Sequence, residues 1–257
     1  MTDVRAERAH AGGLLSMAFG AACYLFFLGT FLYMIGFVLD LPTLPQTIDH
    51  GGVDSPAYIA IAVNLTLLAI FALQHSIMAR PAFKRAWTKI VPKHLERSVY
   101  VLAATTCVAL LIWQWRPIAD PVWSVSAPMA RVALYALQAI GWGTVLLATF
   151  LINHFELFGL TQTFDALLGR SVTEQSFKTP SLYRYVRHPL YLGFVIAFWA
   201  APDMSVGHLL FAIGGTGYIL VGIFFEERDL IAHFGQKYID YKRRVPMLLP
   251  FGKGGGR

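Results

Sequence analysis

The sequence predicts an all-α integral membrane protein of about six apolar helical segments, the last two folded as a hairpin and followed by a cytosolic amphipathic helix. Three observations carry that prediction. The 257 residues are 56% hydrophobic and only 14% charged, far from the roughly 25% charged of a soluble domain. Six apolar runs occur, at residues 14–39, 57–79, 99–115, 132–152, 190–201 and 208–225. All but two of the cations, Arg116 and Arg131, fall in the tails or in alternate connections between those runs.

The second and fourth runs match the ~20 residues that span a hydrocarbon core, and the first is long enough to tilt. That first run is too long for a signal-peptide core and is followed by no small-residue cleavage site, so it is expected to stay in the mature protein. The fifth covers only about 18 Å at ~1.5 Å per residue. It reads as half of a hairpin turning at Ala201-Pro202-Asp203, with residues 208–225 returning. From Glu227 the spacing of Leu230, Ile231, Phe234, Tyr238 and Tyr241 predicts an amphipathic helix, interrupted at Gly235 and ended by Val245-Pro246. The glycine-rich stretch 252–257 reads as a disordered tail.

Nineteen of the 21 Lys and Arg residues fall in the N-terminal tail, the second and fourth connections and the C-terminal tail. By the positive-inside rule both termini are then cytoplasmic. The net charge of +6 is accounted for by topology and anionic lipid, and no nucleic-acid-binding module is present. Cys23 and Cys107 lie inside apolar runs and read as small hydrophobes. No repeat divides the chain, so residues 1–257 form one domain.

Glycine strings are easily over-read. Gly214-Gly215-Thr216-Gly217 lacks the preceding strand of a nucleotide fingerprint, so it predicts close helix packing, as do Gly141 and Gly143. The histidines have no metal-ligand spacing beyond the weak His154-Phe155-Glu156, and no metal is expected. His75 and His154, at the basic ends of the second and fourth runs, are ionisable groups at membrane depth and therefore candidate functional residues.

The strongest string is Tyr183-Arg184-Tyr185-Val186-Arg187-His188-Pro189-Leu190-Tyr191-Leu192-Gly193, which opens the hairpin. Pro189 suits the first turn of a helix, whose amides and dipole favour an anion. After the hairpin returns, Glu226-Glu227 places two carboxylates at the end of an apolar run. Such a pair needs cations or a cationic ligand, and Arg187, Arg228 or a cofactor cation held by tyrosine faces would serve.

That ordered set, Arg-His-Pro-Leu-Tyr-Leu-Gly, then Glu-Glu, Phe-Gly, Tyr, Tyr and Val-Pro, resembles the membrane methyltransferases related to isoprenylcysteine carboxyl methyltransferase. Gln74-His75-Ser76-Ile77-Met78-Ala79-Arg80-Pro81, Glu96-Arg97-Ser98-Val99-Tyr100 and Asn153-His154-Phe155-Glu156-Leu157-Phe158-Gly159-Leu160 extend the likeness to nearly the whole chain. They are similar to the methanethiol S-methyltransferase branch, also grouped with NnrU-like proteins. The resemblance implies an S-adenosylmethionine-dependent thiol S-methyltransferase without a Rossmann domain, converting methanethiol to dimethyl sulfide. The cofactor would sit at the cytosolic face within residues 183–250.

Carried over residue by residue, the resemblance implies cofactor contacts from Tyr185, Arg187, His188, Pro189, Tyr191, Leu192, Gly193, Glu226, Glu227, Tyr238, Tyr241, Arg244 and Pro246. Pattern leaves open which of Glu226 and Glu227 faces the cofactor. A small alkyl thiol is mostly protonated at neutral pH, so a base or nearby cation should form the nucleophile. His154, His75 and Arg187 are the candidates, and the thiol pocket is expected near His154 and Tyr183. Rival readings are a methyltransferase for an isoprenylcysteine or phospholipid acceptor and an NADPH-dependent membrane reductase, because sterol reductases have a similar C-terminal helical layout. A transport component is disfavoured because the charges gather at one face.

Overall fold

The computed structural model describes residues 2–170 and 180–250, with side chains from residue 12 onward. The expected tail at 252–257 and residues 171–179 of the fourth connection lie outside the described residues. The helices are α1 (Thr2–Val38), α2 (Ala57–Ala79), α3 (Pro81–Trp87), α4 (Lys93–Gln114), α5 (Pro128–Ile152), α6 (His154–Leu157), α7 (Leu160–Leu167), α8 (Pro189–Trp199), α9 (Val206–Phe234) and α10 (Gln236–Arg244). Two short strands, β1 (Pro121–Ser124) and β2 (Asp203–Ser205), pair antiparallel.

Five of the helices, α1, α2, α4, α5 and α9, are long and apolar enough to cross a membrane, and the shorter α8 is apolar throughout. Their outward faces expose Leu15, Tyr58, Leu73, Ile140 and Phe224. A run of exposed apolar side chains on helices of this length fits a lipid surround, where each backbone group is satisfied within its own helix. The protein is a multi-pass integral membrane protein.

Helix α4 packs between α1 and α2, α2 also meets α9, α9 meets α8, and α8 lies along α5. Phe31 of α1 meets Trp142 of α5 edge-on at 5.8 Å, which closes the bundle. Two faces result. The near face carries the end of α9 and the start of α8; the far face carries β1 and β2. The densest core, Phe37, Trp115, Phe198 and Phe211, lies toward the far face. There the Trp115 indole donates to Ile48 O at 3.0 Å, and buried Asn64 pins the end of α4 through both Arg116 O and Arg116 N–H.

Helix α8 is held against α5 by backbone contact. A Cβ on Gly141 would stand 2.7 Å from Ala197 N, and one on Gly193 would stand 2.7 Å from Gly141 O. Only glycine at both positions lets the two helices approach so closely. The expectation for Gly143 fails, because a Cβ there meets nothing within 4 Å. Of the other string, Gly214 lies against Leu68 and Gly215 against Phe198, whereas Gly217 faces open space.

The hairpin turns at Ala200–Pro202, one residue before the expected Ala201–Asp203 because Asp203 begins β2, and Ser205 caps α9 by accepting from His208 N–H at 2.9 Å. Two features differ from the sequence reading. The amphipathic segment does not start at Glu227, because nothing between Phe225 and Phe234 breaks a helix and α9 continues through all 29 of its residues. The break falls at Gly235, with φ 56°, and α10 is a separate helix. The strands were not foreseen: the β1 and β2 loops lie side by side and satisfy each other's backbone groups.

Replacing Gly193 by Ala drives a methyl into the α5 backbone and is expected to lower stability by about 1–3 kcal/mol. Gly143→Ala, in open space, should be neutral or slightly stabilising. Thermal unfolding of the two variants in detergent checks the contrast.

Candidate active site

The near-face site starts from a backbone junction. A 3₁₀ turn at Ser181–Arg184 leads into Arg187 and His188, which precede Pro189 at the first turn of α8. Val245 is extended, as a residue before proline must be, so α10 ends and the chain runs back past this segment. Arg187 N–H donates to Pro246 O at 2.9 Å, and His188 N–H donates to Met247 O at 3.2 Å. Two motifs almost sixty residues apart are thereby zipped together.

Side chains then lock the junction to α9. Arg187 Nε donates to Glu227 Oε1 at 2.7 Å, and its Nη1 donates to Lys242 O at 3.1 Å and Val245 O at 2.5 Å. Lys242 Nζ lies 2.6 Å from Glu227 Oε2, and His188 Nε2 lies 3.2 Å from Oε1. The Arg187 and Glu227 side chains are each only 7% exposed. Both oxygens of Glu227 are thus taken by basic side chains of the protein. Glu226 is the carboxylate that remains accessible, with its side chain 42% exposed.

Tyrosines gather around Glu226. Tyr191 Oη donates to Glu226 Oε2 at 2.9 Å. Tyr183, Tyr218 and Tyr238 also lie within electrostatic reach of that carboxylate. Tyr241 Oη donates to Tyr183 O at 2.6 Å, and its ring meets that of Tyr238 edge-on at 5.7 Å. Burial holds the phenols of Tyr183 and Tyr238 above their ordinary range, and burial pushes Tyr241 up to about 12. All three remain protonated at neutral pH. The result is a carboxylate surrounded by tyrosines, one of which donates its hydroxyl to it.

Other expected cofactor residues take different positions. Tyr185 is 69% exposed and stands outside this wall. Gly193 serves the α5 seam, Arg244 is exposed and bonds back to Asp240 O, and Pro246 contributes its carbonyl to the junction. Pro189 and Leu192 belong to the first turns of α8 that carry Tyr191.

The two candidate histidines are far from equivalent. His154 is 4% exposed and stacks on Phe150 with ring centroids 4.2 Å apart. Its Nδ1 lies 2.8 Å from the Thr149 hydroxyl, which itself donates to Leu146 O, so Nδ1–H is the donor. Nε2 then accepts from Tyr24 Oη at 2.9 Å. Burial lowers the pKa of His154, and the ring is neutral, with both nitrogens engaged. Among the described residues no hydrogen bond joins it to Tyr183.

His75 lies on α2, with Nε2 2.8 Å from Tyr100 Oη of α4 and its ring 5.3 Å from Phe71 and 6.2 Å from Tyr218. Its Nδ1 is buried and makes no hydrogen bond within the described residues, and the same holds for the neighbouring Gln74 Oε1. Tyr100 and Tyr218 are both within electrostatic reach of Tyr191. His75 therefore shares one cluster with the Glu226 centre. Arg80 binds Asp229 at 2.9 Å and stacks over Phe225 at 5.3 Å, holding α2 against the extension of α9.

Sequence reading missed Lys242, Tyr100, Tyr218, Tyr24 and Thr149. Lys242 carried a usable signal, since it follows Tyr238 by one helical turn on the face that packs inward, and Tyr100 lies in the Glu96–Tyr100 string that carries the resemblance. The other three are ordinary residues of apolar helices, and only the packing reveals their partners.

Fold and site together define a multi-pass membrane protein with a polar, tyrosine-walled site built by its C-terminal hairpin at one face. Residues 64–226 match the family described as NnrU protein, and the chain belongs to that family. It is 56% identical to the methanethiol S-methyltransferase of Mycobacterium tuberculosis, across 92% of this chain and 96% of the relative. It is 52% identical to methanethiol S-methyltransferase 1 of Bradyrhizobium diazoefficiens, across 92% of this chain and 82% of the relative. A methanethiol S-methyltransferase of a Pseudomonas species is 51% identical, with 93% and 92% covered. No solved structure matches the chain.

Three substitutions probe this geometry. Glu227→Ala strands the buried Arg187 guanidinium without its carboxylate and should cost about 3–5 kcal/mol of stability, while Glu226→Ala, at a half-exposed position, should cost under about 1 kcal/mol. His154→Ala removes two hydrogen bonds and a stacked ring and should cost about 2–4 kcal/mol. Thermal melts of the detergent-solubilised variants measure all three.

Proposed function

We propose that the protein transfers a methyl group from S-adenosylmethionine to methanethiol, giving dimethyl sulfide, at the near-face site. The observation that carries this reading is the open Glu226 carboxylate within a wall of neutral tyrosines, in a chain whose relatives are methanethiol S-methyltransferases. A carboxylate beside aromatic faces fits a sulfonium cation, which a neutral site would not hold as well. When bound, the cofactor supplies an activated methyl group.

The protein's own residues do the positioning. Glu227, Arg187 and Lys242 set the distance between α8 and α9, and thereby the spacing of Tyr191 and Glu226. Methyl transfer is an in-line displacement, so fixing both partners in a site from which water is excluded supplies much of the rate. Half-buried Tyr191 and Tyr218, with Phe71 behind them, make the interior side of the cluster apolar apart from its hydroxyls. A thiol of one carbon suits that side. The Lys and Arg bias of the connections supports a cytoplasmic position for this face and both termini, beside anionic lipid.

Purified protein given S-adenosylmethionine and methanethiol should release dimethyl sulfide into the headspace, and S-adenosylhomocysteine should raise its melting temperature where NADPH does not. Methylation of a lipidated cysteine with no dimethyl sulfide would reject the acceptor. Glu226→Gln should weaken the cationic cofactor about tenfold, by roughly 1.4 kcal/mol, and S-adenosylhomocysteine, which lacks the sulfonium charge, much less. Equal weakening of both would remove the role assigned to the carboxylate.

A further inference from the structure

We propose that His75 is the group that takes the proton from the acceptor thiol, with Tyr100 holding its imidazole in place. This rests on the thiol-methylation reading above. Of the charged and imidazole candidates for activating the nucleophile, His154 has both ring nitrogens engaged by Tyr24 and Thr149. Arg187 is committed to Glu227, Lys242 O and Val245 O. His188 lies between the two carboxylates, with Nε2 3.2 Å from Glu227 and Nδ1 3.9 Å from Glu226. Among the described residues, His75 alone of these four keeps a nitrogen that is buried and without a hydrogen-bond partner.

A buried, unpaired imidazole nitrogen carries a desolvation cost that a bound polar group would relieve. Here its surroundings are Phe71, Tyr100 and Tyr218, and Tyr100 and Tyr218 also neighbour Tyr191, whose hydroxyl is bonded to Glu226. The cluster thus has an anionic end at Glu226 and a neutral basic end at His75, with a tyrosine layer between them. That polarity suits a cation donor at one end and an S–H group at the other. In the tautomer with Nδ1 unprotonated, Nε2–H donates to Tyr100 Oη at 2.8 Å, which fixes the ring. Arg97, 5.1 Å over the Tyr100 ring and bonded to Leu157 O, keeps that tyrosine in place.

The step balances. The thiol proton passes to His75 Nδ1, a sulfur electron pair forms the new S–CH₃ bond, and the methyl's old bond breaks with its electrons going to the donor sulfur. The sulfonium becomes a neutral thioether, the acceptor becomes dimethyl sulfide, and the imidazolium releases its proton to solvent. General-base catalysis of this kind contributes typically 10²–10⁴-fold.

The test uses two acceptors of nearly the same size: methanethiol, mostly protonated at neutral pH, and methaneselenol, already ionised there. His75→Ala should lower the single-turnover rate with methanethiol about 100-fold, and with methaneselenol less than about fivefold. His75→Gln, which keeps bulk and polarity without the base, should behave in the same way, and Tyr100→Phe should lose about tenfold on methanethiol. Calorimetric binding of S-adenosylhomocysteine should be unchanged in all three. Equal losses on both acceptors, or cofactor binding weakened more than about tenfold in His75→Gln, would overturn the assignment. If wild-type protein methylates neither acceptor, the function reading fails instead, so the two failures are separable.

Discussion

A buried carboxylate with three basic partners organises the near face. Glu227 sits on the part of α9 that extends beyond the apolar run, and Arg187, Lys242 and His188 converge on it from the start of α8 and from α10. Ions removed from water are costly unless each finds a partner in good geometry. Here the cost of separating any one partner is what holds three chain segments together. The backbone junction between Arg187–His188 and Pro246–Met247 depends on the same lock, because the Arg187 guanidinium spans both Glu227 and the carbonyls that end α10.

The lock leaves Glu226 as its complement. The two carboxylates are adjacent in sequence, and helical geometry turns successive side chains about 100° apart. One therefore faces the cations and the other faces the tyrosines. Saturation of Glu227 by the protein's own charges makes the polarity of Glu226 available for something else. A division of this kind, with one group spent on architecture and its neighbour held open, recurs with the histidines: His154 is fully engaged between α1 and α5, whereas His75 retains an open nitrogen.

Position along the bundle comes from a different source. Tyr191 reaches Glu226 because α8 lies directly on the backbone of α5, through Gly193 and Gly141. In a lipid surround there is no hydrophobic drive between apolar helices, so close van der Waals approach of small residues supplies the association. Gly193 falls two residues after Tyr191, and its close packing on α5 aims that tyrosine inward.

Composition and charge alone determined much of this protein: an all-α membrane fold, the six apolar segments, the hairpin turn at Ala201–Pro202 and the Val245–Pro246 stop. These are legible because hydrocarbon demands long apolar helices and because proline acts on its own neighbours. The motifs at 183–193 and 226–246 could also be recognised as two halves of one site. Tertiary structure decided the rest. It settled which glutamate is locked, that Gly193 serves packing and Tyr185 points outward, that α9 runs on to Phe234, and that His75 and not His154 has an unengaged nitrogen. The physical reason is common to all of these. A residue's pattern in the chain states what it could bond, but whether its bonds are already taken depends on partners brought from other helices.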